Sequence, residues 1–188
     1  MLAGLGFGVF LDLKFHDIPN TVERAVAAAA ELPKVRLLTL HTLGGMAMMR
    51  AARAALGQGK NCPALLGVTL LTSMDESALR GVGIAGSASE TALALARRAQ
   101  EAGLDGVVAS GQEARAIRAQ CGPEFLIVAP GVRPLSAPAN DQSRVTTPSE
   151  AIQAGADYLV IGRPITEADD PRAAALAIAQ EIASTRRA

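Results

Sequence analysis

The chain has 188 residues, with 18 Lys and Arg against 18 Asp and Glu, and this zero formal charge gives no footprint for nucleic acid or an anionic membrane. Hydrophobic residues are 49% of the chain, but 38 are alanine, and without them the apolar share is about 29%, ordinary for a globular protein. Apolar runs fall far short of a membrane span, no basic stretch precedes a signal-peptide core, and Cys62 and Cys121 are too few for a disulfide framework, so a cytoplasmic protein of one domain over residues 1–188 is expected.

In chain order, a β-rich run, a turn and an alanine-rich helical stretch recur. Strands are predicted at 8–13, 35–41, 64–70, 106–109, 125–129 and 158–161. Most are continuous apolar runs, the mark of parallel strands covered on both faces. Helical patterns lie near 22–32, 45–56, 90–102, 112–120, 148–154 and 171–184, with Gly103 and Gly155 placed to end two of them. The alternation predicts a parallel sheet with helical cover. A (β/α)₈ barrel uses about 31 residues per unit, so this chain holds about six units. Either an open doubly wound sheet or a barrel with two fewer units fits that count. The one long irregular stretch, 136–147, falls between a strand end and a helix, where active-site loops occur.

Three strand ends carry residues suited to chemistry. The first strand ends Phe10-Leu11-Asp12-Leu13-Lys14-Phe15-His16-Asp17. Alternation places Asp12 and Lys14 on one face, and Asp17 follows in the loop, so two carboxylates are expected to flank one ammonium. A structural ion pair closing the strand is the alternative account of the same stretch. The last two strands run into Pro130-Gly131-Val132-Arg133-Pro134 and Gly162-Arg163-Pro164. Glycine admits an anion to backbone N–H groups and arginine offers a charged fork, a combination frequent at barrel phosphate sites. A third strand ends in Thr69-Leu70-Leu71-Thr72-Ser73 ahead of Asp75 and Glu76, which suits either a polar ring edge or a helix N-cap at Ser73. His16 reads as a packing or supporting residue and His41 as a rim residue. Neither has Cys or acidic neighbours at ligand spacing, and no metal site is expected.

The run Phe10-Leu11-Asp12-Leu13-Lys14-Phe15-His16-Asp17-Ile18-Pro19-Asn20-Thr21 closely resembles the signature of the orotidine 5′-phosphate decarboxylase family. The likeness continues through 68–74, 103–110, 129–134, Asp141-Gln142 and 158–164. It implies a (β/α)₈ TIM-type barrel, a homodimer, and a carboxy-lyase of pyrimidine biosynthesis that converts orotidine 5′-monophosphate to UMP and CO₂ without a cofactor. By that resemblance Lys14 donates the proton to C6 and Asp12 sits against the substrate carboxylate. Asp17, with Ile18 and Thr21, would reach the neighbouring subunit's site. Thr72 and Arg133 would hold pyrimidine and ribose, while Gln142, Gly162 and Arg163 would clamp the phosphate. The family has two further strands before the one ending in Asp12, the second with a Lys-x-Gly lysine of a charged network, so the chain is expected to lack two N-terminal βα units. Alternatives are an Mg²⁺-dependent relative, such as 3-keto-L-gulonate 6-phosphate decarboxylase or hexulose-phosphate synthase, and a phosphate-ligand binder without turnover.

Overall fold

The computed structural model describes residues 2–57, 62–134 and 144–185. The protein is α/β, with six strands that neighbour one another in chain order within a single sheet. These are β1 (Val9–Phe15), β2 (Val35–His41), β3 (Ala64–Val68), β4 (Gly106–Val108), β5 (Leu126–Ala129) and β6 (Tyr158–Leu159). The helices are α1 (Pro19–Ala30), α2 (Gly45–Ala54), α3 (Glu76–Gly81), α4 (Ala88–Glu101), α5 (Gly111–Cys121), α6 (Pro148–Gln153), α7 (Arg163–Thr166) and α8 (Pro171–Thr185). All six predicted strands are present. Helix α1 begins three residues earlier than its apolar period indicates, because Pro19 supplies the fixed φ of a first helical turn. The short helix α7 escaped the sequence reading, since four residues carry too little periodicity to register, whereas the start of α3 was signalled by the Ser73 cap pattern ahead of Asp75 and Glu76.

The chain divides into two compact units. The first comprises Met1–Thr69 and Ala94–Val107. Here β1 pairs parallel with β2, and β2 with β3, in unbroken register from Leu37↔Ala64 to His41↔Val68. Leu38, Leu40, Leu65 and Leu66 are fully buried, and Val22, Val26, Met48 and Met49 of α1 and α2 are covered with them. Gly67 lets β3 pass close to its cover: a Cβ there would stand 2.6 Å from Thr42 Cγ2.

The second unit comprises Leu70–Leu93 and Val108–Ala188. Strands β5 and β6 pair parallel, Val128 with Tyr158 and Ala129 with Leu159. Ile127, Val128 and Ala129 are wholly buried, as are Ala114 and Ile117 of α5. Helix α6 opens with a full capping box. The Thr147 hydroxyl accepts the Glu150 N–H, and the Glu150 carboxylate accepts the Thr147 N–H. Helix α3 is capped by Asp75, whose carboxylate accepts the Ala78 N–H at 2.8 Å, so Ser73 is not the cap. Asp75 sits directly before the first helical residue, and Ser73 is two positions too early for that bond.

Candidate functional site

The end of β1 departs from regular strand geometry. Its register against β2 shifts between Leu11 and Phe15, and Lys14 has a φ of 51°, in the left-handed region. That conformation costs a lysine about 1–3 kcal/mol, and bulges of this kind commonly re-aim a side chain beside an active site. The Lys14 N–H donates to Thr39 Oγ1 at 2.9 Å, and the Thr39 hydroxyl donates to Asp12 Oδ1 at 2.9 Å. Lys14 Nζ donates to the other carboxylate oxygen, Asp12 Oδ2. Asp12 and Lys14 therefore meet as expected, at an irregular strand end that Thr39 braces. Thr39 is wholly buried. Its signal in the sequence was a lone hydroxyl within the apolar run of β2.

Asp17 does not join this pair. Its carboxylate accepts the Ile18 N–H at 2.6 Å, and among the described residues Lys14 has Asp12 alone as an ion-pair partner. The expectation of two carboxylates flanking one ammonium is thus corrected within the single chain. Only His16 separates Phe15 from Asp17, and the bond from the N–H of the next residue turns the Asp17 carboxylate toward its own backbone. Asp17, Ile18 and Thr21 are all exposed, Ile18 at 66%. His16 and His41 lie with ring centroids 5.5 Å apart and planes tilted by 37°. His41 ends β2 as expected, and its Nδ1 is buried with no hydrogen-bond partner among the described residues. Burial, then the neighbouring His16 and Lys14, hold its pKa below the ordinary value, against a smaller opposing pull from Asp12.

In the second unit the two glycine–arginine endings share one cleft. Pro130, Gly131, Val132 and Arg133 line it with Val160, Gly162, Arg163 and Pro164, around a volume of about 220 Å³. Gly131 takes φ 70°, a turn that carries the chain from β5 into the buried Arg133. Gly162 precedes the first residue of α7, which is Arg163. Thr72 is buried beyond the end of β3. Gln142 lies outside the described residues. Sequence reasoning missed Glu113 and Arg144, a buried pair with Arg144 Nη1 2.6 Å from Glu113 Oε1. No local motif marks them, because 31 residues separate the two partners.

An α/β parallel sheet with an Asp–Lys pair at one strand end and a glycine–arginine cleft beyond two others is the outfit of a (β/α)-barrel enzyme. A family profile described as "Orotidine 5'-phosphate decarboxylase / HUMPS family" matches residues 1–178, and the chain belongs to that family. It is 56% identical over 183 residues to an orotidine 5′-phosphate decarboxylase of Nitrosococcus oceani, covering 97% of this chain and 78% of that protein. A protein of the same name from Sodalis glossinidius is 57% identical over 178 residues, covering 94% of this chain and 70% of its own. The crystal structure of orotidine 5′-phosphate decarboxylase from Lactobacillus acidophilus superposes with a TM-score of 0.82 at 39% identity, over 96% of this chain and 78% of that one. The fold class is thus the (β/α)₈ barrel type, with six βα units in this chain.

Proposed function

We propose that this chain decarboxylates orotidine 5′-monophosphate to UMP and CO₂, within pyrimidine nucleotide synthesis and without a cofactor. The observation that carries the reading is the Asp12–Thr39–Lys14 arrangement, in a chain 56% identical to a protein named for that reaction. The bond from C6 to the carboxylate breaks, its electron pair stays on C6, and the Lys14 ammonium delivers a proton there. Asp12 faces the substrate carboxylate, whose charge departs with CO₂, so repulsion present in the ground state is relieved as the reaction proceeds. The ammonium meanwhile attracts the charge growing on C6. Interactions that improve toward the transition state raise kcat and not merely affinity. Thr39, by holding both the Lys14 N–H and the Asp12 carboxylate, keeps this pair aligned before substrate arrives.

Thr72 and Arg133 hold the pyrimidine and ribose in this reading, and Gly162 and Arg163, with Gln142, clamp the phosphate. Contacts that far from C6 supply binding energy that positions the reacting end. The functional form is a homodimer in which Asp17, Ile18 and Thr21 serve the partner subunit's site. Their exposure supports it, as does the absence of an Asp17–Lys14 pair within one chain among the described residues. The single-domain, cytoplasmic assignment goes with this reading; among the described residues no helix is long and apolar enough to cross a membrane.

The test is UMP formation by the purified 188-residue chain, with and without Mg²⁺. Activity indifferent to Mg²⁺ is expected, and Lys14→Ala should abolish it while UMP affinity stays within about tenfold, since the lysine acts on C6 and not on the phosphate. Near-normal kcat in Lys14→Ala would overturn the assignment. UMP binding without turnover in the parent chain would point to the non-catalytic alternative.

A further inference from the structure

Glu113 on α5 and Arg144 form a deeply buried ion pair in the second unit, at 3% and 10% side-chain exposure. A buried ion pair is a poor way to gain stability, because desolvation offsets most of the attraction and apolar residues of similar size commonly do as well. Burial in fact holds the Glu113 pKa above its ordinary value despite the adjacent guanidinium. What the pair achieves is geometric. Arg144 Nη2 donates to the Leu71 carbonyl at 2.9 Å and, more weakly, to that of Leu70 at 3.5 Å. Those carbonyls lie beyond Val68, the last residue of β3. The Leu71 carbonyl also accepts the Met74 N–H, so Thr72 sits inside a turn whose first carbonyl Arg144 grips.

The same short segment braces a second loop. The Arg144 carbonyl accepts the Ser110 hydroxyl at 3.3 Å, and two residues on, the Thr146 carbonyl accepts the Arg133 N–H at 2.9 Å. Val132 and Thr146 form an isolated parallel bridge there. Gly111 permits this approach, since a Cβ at that position would stand 2.4 Å from Thr146 Oγ1.

We propose that Glu113 and Arg144 are a positioning pair that sets the loops bearing Thr72 and Arg133. Neither is a catalytic residue. The proposal rests on the reading of Thr72 and Arg133 as substrate-binding residues, and it adds what holds them in place. Glu113 Oε1 anchors Arg144 Nη1, which leaves Nη2 to reach the Leu71 carbonyl.

Two variants separate positioning from mere support. Arg144→Lys keeps a cation beside Glu113 but has no second nitrogen to place at the Leu71 carbonyl. The pair Glu113→Leu with Arg144→Met replaces the ion pair by apolar volume. Thermal unfolding of each is compared with the parent, with UMP affinity by calorimetry and amide exchange over residues 70–74 and 131–134. The expected result is unfolding close to the parent in the double variant, exchange faster in both windows, and UMP dissociation constants raised about tenfold or more in both variants, the scale of one lost charge-assisted bond. Unchanged exchange in both windows would overturn the proposal, whatever happens to UMP. Unchanged UMP affinity alongside faster exchange would also overturn it, because the loops would then not be set for the ligand. If the parent itself fails to bind UMP while exchange rises in the variants, the positioning of the loops stands and the proposed function falls.

Discussion

His41 closes β2 with a buried Nδ1 that has no partner among the described residues, and the groups facing it are His16, Lys14 and Asp12. Two of those three disfavour a proton on the ring, as does burial. Its folded pKa is therefore depressed below the unfolded value of about 6.5, and the fold binds the neutral ring more tightly than the cation. The stability that follows is fully present above about pH 6.5 and is lost as pH falls through the depressed folded value, because the unfolded chain takes the proton first. Urea unfolding of the parent should accordingly weaken between about pH 7 and pH 5, and His41→Gln should flatten that dependence. Equal slopes in parent and variant would show that His41 does not couple folding to pH. Lys14 stands beside this ring in a left-handed backbone conformation, so the neutral histidine spares the site a second cation next to the ammonium.

At the scale of elements, one device occurs twice and has a purpose separate from chemistry. Ala102-Gly103-Leu104-Asp105 leads into β4 and Ala154-Gly155-Ala156-Asp157 into β6, with both glycines at positive φ. Each aspartate accepts a strand N–H beside it, Asp105 from Leu65 at 2.8 Å and Asp157 from Ile127 at 2.7 Å. Each also pairs with an arginine, Arg53 at 3.4 Å and Arg118 at 2.7 Å. Arg118 further donates to the carbonyls of Gly122, Phe125 and Gly155. These bonds sit where strands begin, the end of a (β/α) unit associated with stability. Asp157→Ala should leave the Ile127 N–H without its acceptor and take away the carboxylate partner of Arg118, costing about 2 kcal/mol and lowering Tm by roughly 4–8 °C, with kcat unchanged. A fall in kcat with Tm preserved would refute the division between the two strand ends. The two glycines were legible in the sequence as helix stops, and the strands as apolar runs, because both signals are local. The aspartates, Thr39 and the Glu113–Arg144 pair were not, since each acts through a partner 25 to 40 residues away that no period encodes. The charged strand end of Asp12 and Lys14 and the glycine–arginine endings stood out because ionised groups interrupt otherwise apolar runs. The irregular end of β1 left no such mark.

For the molecule, the consequence of six strands in chain order is that β1 and β6 have a neighbour on one side only among the described residues. A closed barrel has no such edges. Strand β1 offers backbone N–H and C=O groups to another chain, and the apolar side chains near it are open: Leu13 is 49% exposed, Phe7 64% and Leu5 67%. Exposed edges are commonly protected by charge, yet between Val9 and Phe15 the two charges, Asp12 and Lys14, are engaged with each other. An apolar edge of this kind templates strand addition, so the 188-residue chain should associate beyond the dimer proposed for catalysis. Light scattering across a concentration series should show masses above twice the 19.3 kDa of one chain. Leu13→Glu places a charge on the β1 edge and should return the mass to two chains or one, with little change in unfolding because the side chain is half exposed. If the parent remains no larger than a dimer at every concentration, the β1 edge is not sticky. If higher assemblies persist in Leu13→Glu, association runs through another surface, and Tyr158 of β6, 50% exposed, is the next residue to charge.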